Sequence, residues 1–176
     1  MAHVITVRPA LDSGRGASFV LDDRIAAGDY TLHSDTARAT GPLRYRLQVT
    51  HVGDGVLVAG TARVTVVGEC SRCAESFQAD ITASINELYT RDPIDDPDDP
   101  LDLYDAVIDS EGNIDIEPML VGELRLNIPV APLCQPDCAG VCPGCGANLN
   151  RDDCACAADA IDPNHPFAAL ADLIKD

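Results

Sequence analysis

Eight cysteines, placed as one isolated pair and one dense cluster, constrain this 176-residue chain more than any other feature. Cys70-Ser71-Arg72-Cys73 is a C-x2-C pair, a turn short enough for both sulfurs to face one ion. Cys134, Cys138, Cys142, Cys145, Cys154 and Cys156 follow much later, in the segment CQPDCAGVCPGCGANLNRDDCAC. A lone C-x2-C is shared with redox motifs, but repeated pairs with Cys-Pro-Gly-Cys-Gly point to metal. A chain of this length buries enough apolar surface to fold without covalent staples. Its amino terminus shows no basic run followed by an apolar stretch and a small-residue cleavage site. The expected compartment is therefore the cytoplasm, where thiols stay reduced and grouped cysteines are metal ligands rather than disulfides.

Eight sulfurs make two sets of four, and the expected cofactor is structural zinc, one or two ions. The loop from Ala147 to Asp153 is short enough to close on itself, which assigns Cys142, Cys145, Cys154 and Cys156 to one site. Cys70, Cys73, Cys134 and Cys138 then form the other and tie distant parts of the chain together. The single-residue gap between Cys154 and Cys156 is unusual for two ligands of one ion. It leaves open that one of them stands aside, with Cys134 or Cys138 in its place. Glycine after a knuckle's second cysteine, as at Gly146, lets backbone amides turn inward toward the anionic sulfurs, a turn that favours positive φ.

Catalysis is not expected. Catalytic zinc keeps an open position beside a general base, often with histidine or carboxylate ligands. Here His3, His33, His51 and His165 all lie outside the cysteine cluster, in no H-E-x-x-H or H-x-E arrangement. Phosphate-binding loops, nucleophile elbows and dinucleotide fingerprints are absent from the sequence, so no small-molecule substrate is expected. No apolar run approaches the roughly 20 residues of a membrane span.

Around the cysteines the pattern is that of strands. Leu43, Tyr45, Leu47 and Val49 alternate with Arg44, Arg46 and Gln48, the period of a half-buried strand. After Gly53-Asp54-Gly55 the alternation resumes, with Val58, Ala62, Val64 and Val66 on one face and Thr61, Arg63 and Thr65 on the other, predicting a hairpin. Phe77, Ala79, Ile81, Ala83 and Ile85 suggest a third strand; a short helix over the same window is disfavoured by its β-branched residues.

Residues 92–117 hold eleven acids, no Lys or Arg, and prolines at 93, 97 and 100, which predicts a solvated acidic loop over 92–109. A helix is predicted over about 117–127, with Pro118 in its first turn, Pro129 beyond its end, and Met119, Leu120, Leu124 and Leu126 as its apolar face. A short terminal helix is predicted from about Pro166 to Ile174, with Asn164 as a candidate cap. The expected fold is α+β and β-rich: an antiparallel sheet with scope to curl toward a barrel, plus a cysteine-rich zinc module and a short C-terminal helix. The division runs as a β-rich domain over 1–132, and the zinc module with its terminal helix over 133–176.

These residues resemble the YceD family, the large ribosomal RNA subunit accumulation proteins. The resemblance is carried by GECSRCAESF and the strand after it, the acidic loop, IEPMLVGELRLNIPV, the cysteine segment from Leu133 to Cys156, and DPNHPFAALADL. The first 40 residues contribute least. The resemblance implies a role in accumulation or maturation of large-subunit ribosomal RNA, through assembly of the large ribosomal subunit. Some members keep the first cysteine pair and lack the Cys-Pro-x-Cys-Gly segment, which suits two separable metal sites.

Charge divides the expected partners. Residues 1–72 hold eight arginines against seven acids, whereas residues 73–176 hold three arginines and Lys175 against 22 acids, and the whole carries −17. Arg44, Arg46 and Arg63 on the hairpin's solvent face, with Arg72 in the first knuckle, are the candidate contacts for large-subunit RNA or its precursor. The plainer reading is that they solubilise the sheet and pair with nearby acids. The acidic half, and its loop above all, suits a basic ribosomal protein. An alternative function is a zinc-stabilised protein adaptor that does not touch RNA.

Overall fold

β-branched and alternating sequence dominates the chain, and the computed structural model, which describes residues 2–91 and 106–156, is accordingly built on strands. β1 (Val4–Thr6) and α1 (Arg8–Asp12) lead into β2 (Ser18–Ile25), β3 (Ala37–Val52), β4 (Gly55–Glu69) and β5 (Ser76–Thr90). β6 (Asn113–Asp115) and α2 (Glu117–Leu126) follow. The predicted hairpin is β3–β4, reversing through Gly53-Asp54, with Val52 opposite Gly55. It is longer than the alternating run of its sequence suggested, and its two ends add Ala37 and Val56 to the core.

The four long strands pair antiparallel in the order β2-β3-β4-β5, and β1 pairs with β6 in a separate two-stranded ribbon. The sheet is open: β2 and β5 are its edges and do not pair with one another, so the curl toward a barrel is not realised in the hydrogen bonding. β2, at eight residues against fifteen in β5, is too short to match the opposite edge. The β-rich reading with few helices and two cysteine groups holds.

The third strand is β5, and its partners show why a helix loses. Ile81, Ala83 and Ile85 stand opposite Val64, Ala62 and Gly60, so a period of two places all three over the same buried face. Leu43, Tyr45, Leu47, Val49, Val56, Val58, Ala62, Val64 and Val66 complete that face. Each Val, Leu or Ile among them contributes about 1.5–3 kcal/mol on full burial. At Gly60 the neighbouring strand comes so close that a Cβ would lie 2.1 Å from the Arg46 carbonyl oxygen, and only glycine fits.

α1 and α2 pack on the same face, delivering Ala10, Met119, Leu120 and Leu124 to the core. α2 begins where its sequence predicts. The Asp115 carboxylate accepts the Glu117 N–H at 3.1 Å, and Pro118 sits in the first turn, where no donor is needed. Leu126 departs from the predicted apolar face: it is 75% exposed. Two residues beyond Leu124 is about 200° around a helix of 3.6 residues per turn, which carries it to the far side.

Of the acidic loop, residues 92–105 lie outside the described residues. The stretch from Ala106 to Asp109 is already ordered against the sheet: Thr90 N–H donates to the Ala106 carbonyl, Ile108 N–H to that of Thr90, and Ile108 is buried. Asp109 then accepts the backbone N–H groups of Asn113 and Glu111, which hold its carboxyl below the usual range. The terminal helix predicted at 166–174, with His165 and the cap Asn164, lies outside the described residues. Among the described residues, no helix is long and apolar enough to cross a membrane.

Candidate metal centre

The turn between β4 and β5 holds Cys70 and Cys73, and the segment after α2 folds back over it. Ser71 N–H donates to the Pro132 carbonyl at 2.9 Å, which brings Cys134 and Cys138 alongside the first pair. The result is a set of four sulfurs, Cys70, Cys73, Cys134 and Cys138, all within 4.8 Å of one another. A second set, Cys142, Cys145, Cys154 and Cys156, meets the same limit. Cys154 and Cys156 therefore stand in one group, despite the single residue between them.

The donor sets fit zinc. A tetrahedral zinc with bonds of about 2.3 Å spaces its sulfurs about 3.8 Å apart. In the first set Cys70–Cys138 and Cys73–Cys134 are each 3.7 Å. In the second, Cys145–Cys154 is 3.4 Å and Cys142–Cys154 3.2 Å, somewhat tighter. Cys70, Cys73, Cys138 and Cys142 are buried, whereas Cys134, Cys145 and Cys156 are exposed. The first set is thus the more deeply held, with Phe77 and Leu133 packed around it.

Both C-x2-C turns share one backbone design. Cys70 N–H donates to the Glu75 carbonyl, and Ala74 N–H returns to that of Cys70. Cys142 N–H donates to the Ala147 carbonyl, and Gly146 N–H returns to that of Cys142. The residue after the second cysteine is left-handed in each, with φ 74° at Gly146 and φ 57° at Ala74. Positive φ after Cys145 was legible from glycine; the same conformation carried by alanine in the first knuckle was not.

Amide donors explain the acidity of the leading sulfurs. Burial pushes the Cys70 thiol up, but the N–H groups of Cys134, Arg72 and Cys73 outweigh it and bring it down to about 6. Cys142 also falls to about 6, through the Cys154 thiol and then the N–H groups of Cys145 and Gly144. Cys134 and Cys154 move the other way. Burial and the neighbouring sulfurs push Cys134 up to about 12. Cys156 N–H lowers Cys154, yet the surrounding sulfurs prevail and raise it to about 12.

Asn150, which lies between Cys145 and Cys154 in sequence, serves the other set. Its Nδ2 donates to Cys138 Sγ at 3.3 Å, and its Oδ1 accepts Ala139 N–H at 2.8 Å. Glu75, just past the first knuckle, accepts from Asn148 Nδ2 at 3.2 Å and pairs with Arg151 at 2.9 Å. The loop of the second set is thereby docked on the first. Sequence reasoning missed Asn148, Asn150 and Glu75, whose roles have no spacing signature.

The candidate RNA-contact arginines separate. Arg44, Arg46 and Arg63 all lie on the sheet's solvent face, Arg44 directly opposite Arg63. Arg46 pairs with Asp22 at 3.3 Å, and Arg63 Nε donates to Thr82 Oγ1 at 3.2 Å. Arg72 is not with them. Its guanidinium donates to the Cys138 carbonyl at 2.9 Å, and so braces the first knuckle against the later segment.

Comparison with known proteins bears on the family of the chain. A family model described as "Large ribosomal RNA subunit accumulation protein YceD" matches residues 58–174. An uncharacterised protein of Mycobacterium tuberculosis is 36% identical over 104 residues, 58% of this chain and 49% of its own length. An uncharacterised Mycobacterium leprae protein is 30% identical over 144 residues, 76% of this chain and 59% of its own. A Zea mays protein, named a chloroplastic large ribosomal RNA subunit accumulation protein YCED homolog 1, is 27% identical over 167 residues, 77% of this chain and 57% of its own. The chain spans about half the length of the curated relatives it matches. No solved structure matches. With a family match reaching from β4 through both cysteine sets, the chain belongs to the family of the large ribosomal RNA subunit accumulation protein YceD.

Proposed function

We propose that this chain is a zinc-stabilised, non-enzymatic factor for accumulation of large-subunit ribosomal RNA, acting in the cytoplasm during assembly of the large ribosomal subunit. The observation that carries the reading is the pair of four-sulfur sets within the region that matches the family. Four thiolates complete a tetrahedral zinc and leave no position for a reacting water, so both ions hold structure rather than perform chemistry. Among the described residues, these are the only groups of His, Cys, Asp and Glu gathered for a metal. Family membership supplies the ribosomal role, and the plant relatives' printed names support it.

A second reading, a protein adaptor without RNA contact, is favoured by the net charge of −17, which suits a basic ribosomal protein. A tagged pull-down at modest salt, divided into nuclease-treated and untreated halves, separates the two. Large-subunit precursor RNA in the untreated half alone supports the RNA role. Ribosomal proteins that survive nuclease support the adaptor. Absence of ribosomal material from both halves would overturn the ribosomal reading, and absence of zinc by mass spectrometry would overturn the metal assignment.

A further inference from the structure

The register of the sheet sets three arginines in one row. Arg24 on β2 is opposite Arg44 on β3, and Arg44 is opposite Arg63 on β4. Adjacent strands lie about 4.8 Å apart, so the row crosses about 10 Å of sheet. All three residues are exposed and share the face turned away from the core. Like charges placed directly opposite one another repel, and a protein ordinarily interleaves them with acids. Here neither the Arg24 nor the Arg44 guanidinium has an ion pair or hydrogen bond among the described residues. Arg46, one row away on the same face, adds a fourth guanidinium, and its partner Asp22 is the nearest compensating acid in register. Of the other carboxylates on this face, Asp80 accepts the Thr65 hydroxyl at 2.8 Å, and Glu69 lies three rows from Arg63 along β4.

We infer that the row Arg24–Arg44–Arg63 is a binding site for the phosphodiester backbone of RNA. A planar guanidinium matches a phosphate with two parallel donors, and a polyanion relieves the repulsion that the free protein carries. The row of Thr61 with Ser84, and Thr82 opposite Arg63, supply neutral donors next to the charges. Among the described residues the same face carries no aromatic side chain: Phe19, Tyr45, Phe77 and Tyr89 stand in register with core-facing residues. Contact is therefore to backbone rather than to stacked bases, and little base preference follows. Arg72, engaged with the Cys138 carbonyl, takes no part. RNA, rather than an acidic protein, is chosen because this inference rests on the ribosomal reading above.

The test uses the full chain, fluorescence anisotropy, and a 20-nucleotide single-stranded RNA titrated between low and physiological salt. Three proteins are compared: wild type, the triple variant R24Q/R44Q/R63Q, and R24K/R44K/R63K, with folding checked by circular dichroism. The glutamine variant is expected to bind at least about tenfold more weakly. Its log-affinity against log-salt slope should be shallower by roughly 2, since each lost single-strand phosphate contact removes about 0.7. The lysine variant keeps its charge and should keep most of the slope, whereas R125Q, on α2, should bind as wild type does. No binding by wild type, or equal slopes for wild type and the glutamine variant, would overturn the inference. Equal competition by polyglutamate would overturn the choice of RNA. In the pull-down, ribosomal RNA recovered equally by wild type and the glutamine variant would remove this face and leave the ribosomal role. A variant defective with the RNA probe, paired with a wild type that recovers no ribosomal RNA, would do the reverse.

Discussion

Asn150→Ala should weaken zinc at the set to which Asn150 is not adjacent in sequence. The side chain donates to Cys138 Sγ at 3.3 Å and accepts Ala139 N–H at 2.8 Å, so it fixes a ligand and that ligand's neighbour together. Once the sulfurs are thiolates, the first bond is charge-assisted, a class worth about 1.5–3 kcal/mol. Asn150 is exposed, which places the bond at the low end. The second bond adds about 0.5 kcal/mol, because water can replace it. About 2 kcal/mol in total is close to thirtyfold in affinity, within the ten- to hundredfold range for residues that orient metal ligands. Competition with a chromophoric chelator, followed by mass spectrometry, should show one tightly held and one weakened zinc. Asn150→Asp should be worse, since it donates nothing to sulfur and adds a negative charge beside four thiolates. Two zincs released from Asn150→Ala with wild-type affinities would refute the coupling of the second loop to the first set.

Gly146→Ala places a side chain at φ 74° and should cost about 1 kcal/mol at the second set, read as weaker zinc retention; Ala74→Gly, relieving φ 57°, should cost nothing or stabilise slightly. Zinc binding at neutral pH should release at least two protons per set, because Cys73 and Cys134 in one, and Cys154 and Cys156 in the other, are raised and hold theirs without metal. Calorimetry in two buffers of different ionisation enthalpy measures this, and buffer-independent heats would contradict it. Cys70 and Cys142 are depressed from 9.0 to about 6, so their contribution to stability is present above pH 9 and declines as pH falls from there through about 6. Zinc retention should accordingly weaken as pH falls, because protons compete with the metal for the same sulfurs. Leu47→Ala, at a fully buried position between β2 and β4, should cost about 3 kcal/mol in urea unfolding with little loss of zinc.

Each part of the molecule was legible to the extent that its physics is local. β3, β4 and β5 announced themselves because one face of each is buried, and burial of one face imposes alternation. α2 was marked by Pro118 and its apolar spacing, though Leu126 shows that an apolar residue near a helix end need not face inward. β1, β2 and β6 were not identified. Val4–Thr6 and Asn113–Asp115 are three-residue strands that exist only because each pairs with the other, and nothing within either segment encodes that partner. β2 carries Asp22, Asp23 and Arg24 in succession, which breaks the apolar alternation at a sheet edge, where one side of the strand meets solvent.

What the sequence by itself determined is the chemistry: eight thiols in knuckle spacing, a β-rich chain, an acidic second half and the family. Cysteine spacing is a local property, since a C-x2-C turn positions two ligands whatever the rest of the chain does. The tertiary structure alone decided what those groups meet. Strand register set Arg24 beside Arg44 and moved Arg72 out of their company. Folding of the segment after α2 brought Asn150 to Cys138 and Glu75 to Arg151. Such contacts join residues far apart in the chain, and they depend on how a whole sheet and its crossing segment pack, which no short window of sequence contains.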